Sequence, residues 1–421
     1  TGSARRATPD LPVPEPPFCA PEDVAAQLQM AVESHTAHYG APPAGLWPSE
    51  GAVSPEMLPL VRLAGFNWLA SGETILSRSL GRPLDRDGSS LLTDPRTLYQ
   101  PYRVLAGTEL GPYMVFRDQE LADRIGFLYQ HLPGQQAAED LIYRLLEIRR
   151  RLNDAETPYL VPIILDGENC WEHYEQNGDV FLNALYGELS RRPELRAVTV
   201  SEYLALRRQP AATLARLATG SWIGGDLTTW IGDPEHNRAW AALRQTREHL
   251  VARTAEFARV PEDVRATAGL KRAWHALYAA EGSDWFWWYS HRNSSQQDAL
   301  FDRLYRHDLA AVFEALGDPV PEWLAQSIQQ APAAADHRPA QGYVSPILTA
   351  AAYPSEAWAN AAQFRPASAS TGTMQRGDGG PIERLFVGHD PRNLYLRLDL
   401  RAALDAYDLA IYLSGSAGGP A

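Results

Sequence analysis

Brief apolar runs alternate with helical stretches through the first half of the chain, and this alternation limits the fold more than any other feature. FNWLA (66–70), YMVF (113–116), YLVPIIL (159–165) and AVTV (197–200) read as short strands. Leu141, Leu145, Ile148 and Leu152 mark the apolar face of a helix between two of them. Earlier, PEDVAAQLQMAVESHTAHYG (21–40) starts on Pro, repeats apolar residues at helical spacing and stops on Gly, which predicts a helix. Strands alternating with helices predict an α/β fold with a parallel sheet, open or closed into a barrel. In both forms the working side chains gather at the C-terminal ends of the strands.

The texture changes along the chain. Residues 1–17 are Pro-rich and polar and read as a loop or disordered lead-in. Residues 18–210 carry the alternating pattern. From about residue 211 to 329, three long helical patterns with Pro or Ser at their starts predict a helical subdomain packed on the sheet. An Ala/Pro-rich linker follows at 330–340. Beyond it RLFVGHD, LYLRLDL and LAIYL alternate apolar with polar residues, predicting a partial β-sandwich-like domain over 341–421. The chain opens at Thr1 without an initiator Met and stops soon after LAIYL, so it reads as a piece of a longer protein.

Composition narrows the partners. A net charge of −13 argues against nucleic acid or an anionic membrane, and a neutral substrate fits better. No apolar run approaches the roughly 18 residues of a membrane-spanning helix. The two cysteines, Cys19 and Cys170, form no disulfide framework and no Cys-x-x-Cys pair. His173 and His236 have no partners at metal-ligand spacing, so neither a metal nor a cofactor is expected. Twelve tryptophans are many for 421 residues, and flat indole faces suit sugar rings as well as cores.

Two acidic islands stand out. In ILDGENCWEHY (164–174) an apolar run ends abruptly at Asp166, next to an aromatic residue. In GLWPSEGAVS (45–54), Glu50 follows Trp-Pro-Ser in a loop. Each acid alone is ordinary, because loop acids are mostly solvated and Asp-Gly is a common turn pair. Together they supply what glycoside hydrolysis requires, two carboxylates facing one bond.

GLWPSEGAVSPE, VFRDQELADRIGFLY, ILDGENCWEHY, GSWIGGDLTTWIGDPEHNRAW and EGSDWFWWYS, in this order, resemble glycoside hydrolase family 57, most closely its α-amylase and amylopullulanase-like branch. The resemblance runs over residues 18–328. It implies an incomplete (β/α)7 barrel followed by a helical region, and a retaining mechanism on α-glucans. Carried onto this chain, it implies Glu50 as nucleophile and Asp166 as general acid/base. Arg117 and Asp118 of the FRD motif are expected to clamp substrate or to form a structural ion pair. Trp47 and Trp171 flank the two acids, where they either stack on sugar or pack the barrel end. Trp222 reads as a subsite wall beside the flexible Gly224-Gly225 pair, while Trp230 is as well suited to the core. Asp284 and one of Trp285 or Trp287 are expected contacts within EGSDWFWWYS, and Glu168 is expected either to orient the site or to be solvated.

The family's N-terminal His-Gln-Pro motif is absent, which implies a barrel without its first strand or strands. Three activities fit the motifs: α-glucan hydrolysis, transfer by a glucanotransferase or branching enzyme, and glucan binding without turnover.

Overall fold

The computed structural model describes residues 1–106, 109–152, 158–167, 171–207, 210–258, 264–295, 297–329, 338–346, 355–364 and 382–400. The chain divides into two units, residues 1–293 with 297–329, and residues 294–296 with 330–421.

The first unit is built on a five-stranded sheet of β1 (Gly45–Leu46), β2 (Trp68–Gly72), β3 (Tyr102–Ala106), β4 (Glu109–Arg117) and β5 (Ala212–Leu214), in the order β1-β2-β4-β3-β5. The pairs β1–β2, β2–β4 and β3–β5 are parallel, whereas β3–β4 is antiparallel. A wholly parallel sheet is therefore corrected to a mixed one. The reason is length: only two residues separate β3 from β4, and a parallel crossover needs about a dozen. Leu69, Met114 and Phe116 are fully buried on this sheet.

Two of the four expected strands take other forms. YLVPIIL is extended but pairs sparsely: Leu160 donates to the Tyr99 carbonyl and Asp118 to the Pro162 carbonyl. Pro162 has no N–H to give, which keeps this segment from joining a full ladder. AVTV runs into the helix Val200–Leu206, because Thr199 and Glu202 form a reciprocal capping box at its start. The helix Pro21–Tyr39 begins with Pro in its first turn and ends where Gly40 turns left-handed at φ 75°.

The lead-in also differs from expectation. Gly2–Arg6 forms a 3-10 turn, and Ala4, Leu11 and Val13 are buried in the core of the helical region. Its prolines stiffen a strap whose apolar residues face inward. That core is closed by the helices Pro234–Phe257, Val264–Ala280, Ser283–Tyr289 and Asp298–Leu316. Trp230 lies in it, and Trp240 stacks on Phe286 with centroids 3.8 Å apart. Buried Asp302 holds its end together, accepting from Tyr289 Oη at 3.0 Å and from the Ile328 amide at 3.0 Å.

In the second unit, β6 (Ala362–Phe364), β7 (Ile382–His389) and β8 (Leu394–Leu400) form one antiparallel sheet over Val344, Trp358, Ala361 and Phe386. The expected sandwich needs a second sheet, and LAIYL and most of the 330–340 linker lie outside the described residues. No described helix is long and apolar enough to cross a membrane.

Candidate active site

Because β1, β2 and β4 run parallel, their C-terminal ends lie on one edge of the sheet. β1 releases the chain into Trp47-Pro48 and then the tight turn Ser49–Gly51, in which Glu50 takes φ 55° and ψ 27°. A left-handed glutamate costs about 1–2 kcal/mol, so its surroundings must hold it there. They do. The Glu50 carbonyl accepts from Ser221 Oγ at 2.8 Å, and the Gly51 carbonyl from Ser71 Oγ at 2.7 Å. Val53 and Gly220 exchange backbone hydrogen bonds just beyond the turn.

The half-buried Glu50 carboxylate accepts from the Trp222 indole Nε1 at 3.1 Å. Trp47 meets that indole edge-on, with centroids 5.2 Å apart and planes at 82°. The Arg117 guanidinium lies over the same ring, 4.8 Å from its centroid. Gly224 and Gly225 in the loop beyond take φ of 66° and 75°, so conformation rather than flexibility explains the pair.

Arg117 ends β4 opposite Gly72, the last residue of β2. It is only 4% exposed, donating through Nε to the Ile164 carbonyl at 2.9 Å and through Nη2 to Asp123 at 2.8 Å. Ile164 lies two residues before the half-buried Asp166. Trp47 and Ile164 both pack on the cluster formed by Ala70, Val115, Leu160 and Tyr203. The segments bearing the two acids are thus anchored on one patch of the sheet.

Other expected contacts fare differently. Asp118 is fully buried, which favours the structural ion pair over the substrate clamp. Its Oδ1 caps the helix Gln119–Asp123 through the Leu121 amide at 2.9 Å and accepts from Arg86 at 3.2 Å, and its Oδ2 accepts from Tyr99. Trp171 packs among Tyr174 and Phe181, which favours the packing alternative. The Trp285 indole donates to the Ala279 carbonyl at 2.9 Å, and its ring rests near Tyr305 and Phe301. Asp284 is exposed in the first turn of Ser283–Tyr289, and Ser283 Oγ lies 2.8 Å from Ser49 Oγ, beside Glu50. Glu168 lies outside the described residues.

Sequence reasoning missed Glu73, the first residue after β2. It accepts from Arg86 at 2.6 Å and from the Gln119 amide at 2.9 Å, fastening the rim of β2 to that of β4. Burial pushes its carboxyl up, against the nearby Arg86 charge. Its signal resembled that of Asp166, an acid close behind an apolar run, here FNWLA followed by Ser71 and Gly72.

Fold and site define a class: an α/β protein with two acid-bearing segments anchored at the carboxyl edge of its sheet. Residues 13–215 match the model of glycosyl hydrolase family 57. Three solved structures are similar. The GH57-type branching enzyme of the hyperthermophilic archaeon Pyrococcus horikoshii is 17% identical, with 73% of this chain and 65% of that chain covered and a TM-score of 0.54. The α-amylase AmyC of Thermotoga maritima is 16% identical, with 72% and 66% covered and a TM-score of 0.53. A GH57 branching enzyme of Thermococcus kodakaraensis is 15% identical, with 73% and 66% covered and a TM-score of 0.51. At these identities the likeness is one of fold, and the chain spans just under two thirds of each neighbour. No curated protein matches the sequence.

Proposed function

We propose that this chain is a retaining glycoside hydrolase of the amylase and amylopullulanase type, acting on α-glucans such as starch, maltooligosaccharides and pullulan. Residues 18–210 are read as part of its (β/α)7 catalytic barrel and 211–329 as a helical subdomain. The observation that carries the reading is the setting of Glu50: a strained turn at the carboxyl edge of the sheet, with its carboxylate on an indole N–H.

In the first step a Glu50 oxygen attacks the anomeric carbon while the Asp166 carboxyl gives its proton to the departing glycosidic oxygen. The C–O bond to the leaving sugar breaks as the ester bond to Glu50 forms. In the second step Asp166, now a carboxylate, takes a proton from water, whose oxygen attacks the same carbon and releases Glu50. Two inversions leave the anomeric configuration unchanged. Such a mechanism requires the two carboxyl groups roughly 5–5.5 Å apart. Trp47 and Asp284 are read as lining the bound glucan, with Arg117 closing its floor.

Transfer differs only in the acceptor of the second step, a sugar hydroxyl in place of water. The same fold carries an α-amylase and branching enzymes among its neighbours. Reducing-end release from soluble starch and pullulan, measured for this chain and for Glu50→Gln and Asp166→Asn, tests the reading. Hydrolysis predicts new reducing ends that both variants lose. Redistribution of chain lengths without new reducing ends would indicate transfer, and tight maltooligosaccharide binding with no turnover in any form would indicate a binder.

A further inference from the structure

A carboxylate that attacks an anomeric carbon must be ionised and must be held in one rotamer. The contact that does this for Glu50 joins residues 172 positions apart, the Trp222 Nε1–H and Glu50 Oε2 at 3.1 Å. The indole is itself fixed. Its backbone amide reaches the Glu50 carbonyl at 3.4 Å, and the Trp47 ring stands edge-on at 5.2 Å. Gly72 leaves room for it, since a Cβ there would lie 3.1 Å from both Trp222 Cα and Cβ. Behind the ring, the buried Arg117 guanidinium sits 4.8 Å from the centroid. Among the described residues Arg117 Nη1 has no hydrogen-bond acceptor, and the guanidinium lies against the indole ring. A cation on the π face draws density from the indole and makes its N–H a better donor to an anion.

We propose that Trp222 is a positioning residue for Glu50 rather than a wall for sugar. Its indole N–H, polarised by Arg117 behind the ring, fixes the carboxylate rotamer and favours the ionised form. The inference rests on Glu50 being the nucleophile, yet the hydrogen bond can be read without turnover.

Trp222→Phe keeps an aromatic ring and removes the donor. Expected is a fall in kcat of about ten- to hundredfold, the size of one hydrogen bond to a charged group. KM stays nearly constant, and the acid limb of the kcat/KM profile moves to higher pH, because a carboxylate that loses a donor is harder to ionise. An unchanged kcat and acid limb with a raised KM would overturn the proposal and return Trp222 to the subsite wall.

The second measurement uses the native protein labelled with 15N at its indoles. The resonance missing from Trp222→Phe identifies Trp222, and the persistence of the other indole resonances shows that the variant folds. The Trp222 resonance should titrate with pH in the native protein and stay fixed in Glu50→Gln. A resonance that is fixed in both, or titrates in both, contradicts the proposal. Full turnover by Glu50→Gln would instead sink the assignment of the nucleophile, and the indole titration would still decide whether the two groups are coupled.

Discussion

Arg117 donates through Nε to the carbonyl oxygen of Ile164 at 2.9 Å, two residues before Asp166. The same guanidinium lies on the Trp222 ring, which holds Glu50. One buried side chain therefore touches the supports of both acids.

Lysine in place of Arg117 keeps the charge but carries its three N–H donors on one nitrogen, which cannot lie flat on the indole while bonding Ile164 and Asp123. For Arg117→Lys the expected outcome is a loss of at least about tenfold in kcat/KM, corresponding to one charge-assisted hydrogen bond of roughly 1.5–3 kcal/mol. Steady-state kinetics on maltooligosaccharides, with thermal unfolding as the control for folding, checks it. Wild-type kinetics would show that the bridge does not set the geometry of the acids.

Gly72 tests the packing behind Trp222. An alanine Cβ would press on Trp222 Cα and Cβ at 3.1 Å, and Trp222 Cα cannot give way as a flexible side-chain tip could. Overpacking of this kind costs about 1–3 kcal/mol. Gly72→Ala should unfold at a lower temperature and lose activity through displacement of the indole. An equally stable, fully active Gly72→Ala would mean that the loop of Trp222 moves aside freely.

A pH effect on stability is expected away from the site. Glu281 receives a hydrogen bond from Gln27 and faces Asp23, which is paired with Arg247. Burial, and then Asp23 beside it, push the Glu281 carboxyl up to about 9 from its ordinary 4.5. Between those values the folded protein keeps a proton that the unfolded chain has lost, so folding takes up a proton and stability falls as pH rises. The contribution is complete below the unfolded value and gone above the folded one. Glu281→Gln, which cannot ionise, should show a flatter Tm than wild type from about pH 5 to about pH 9 and a higher Tm at the alkaline end. Parallel Tm–pH curves for the two proteins would contradict this.

Local chemistry was legible in the sequence, and long-range pairing was not. Asp166 announced itself as an acid at the end of an apolar run, and Glu50 as an acid in a loop beside Trp47. Pro21 and Gly40 marked a helix accurately, because caps act within one turn. AVTV misled because the Thr199–Glu202 box outweighs four apolar-leaning residues. The turn between β3 and β4 hid in a pattern that otherwise suggested crossovers. For Asp118 the sequence allows a substrate clamp or a structural ion pair, and only the fold shows Tyr99, Arg86 and Leu121 surrounding it. No local pattern could have paired Trp222 with Glu50.

The central claim is that Glu50 forms the covalent bond to sugar. A 5-fluoro-α-glucosyl fluoride, which enters a retaining site quickly and leaves slowly, can trap that bond for mass spectrometry of the digested protein. The account predicts one added fluoroglucosyl group on the peptide that contains Glu50, and none on Glu50→Gln. A label on any other carboxylate, or turnover of the reagent with inversion at the anomeric carbon, would contradict it.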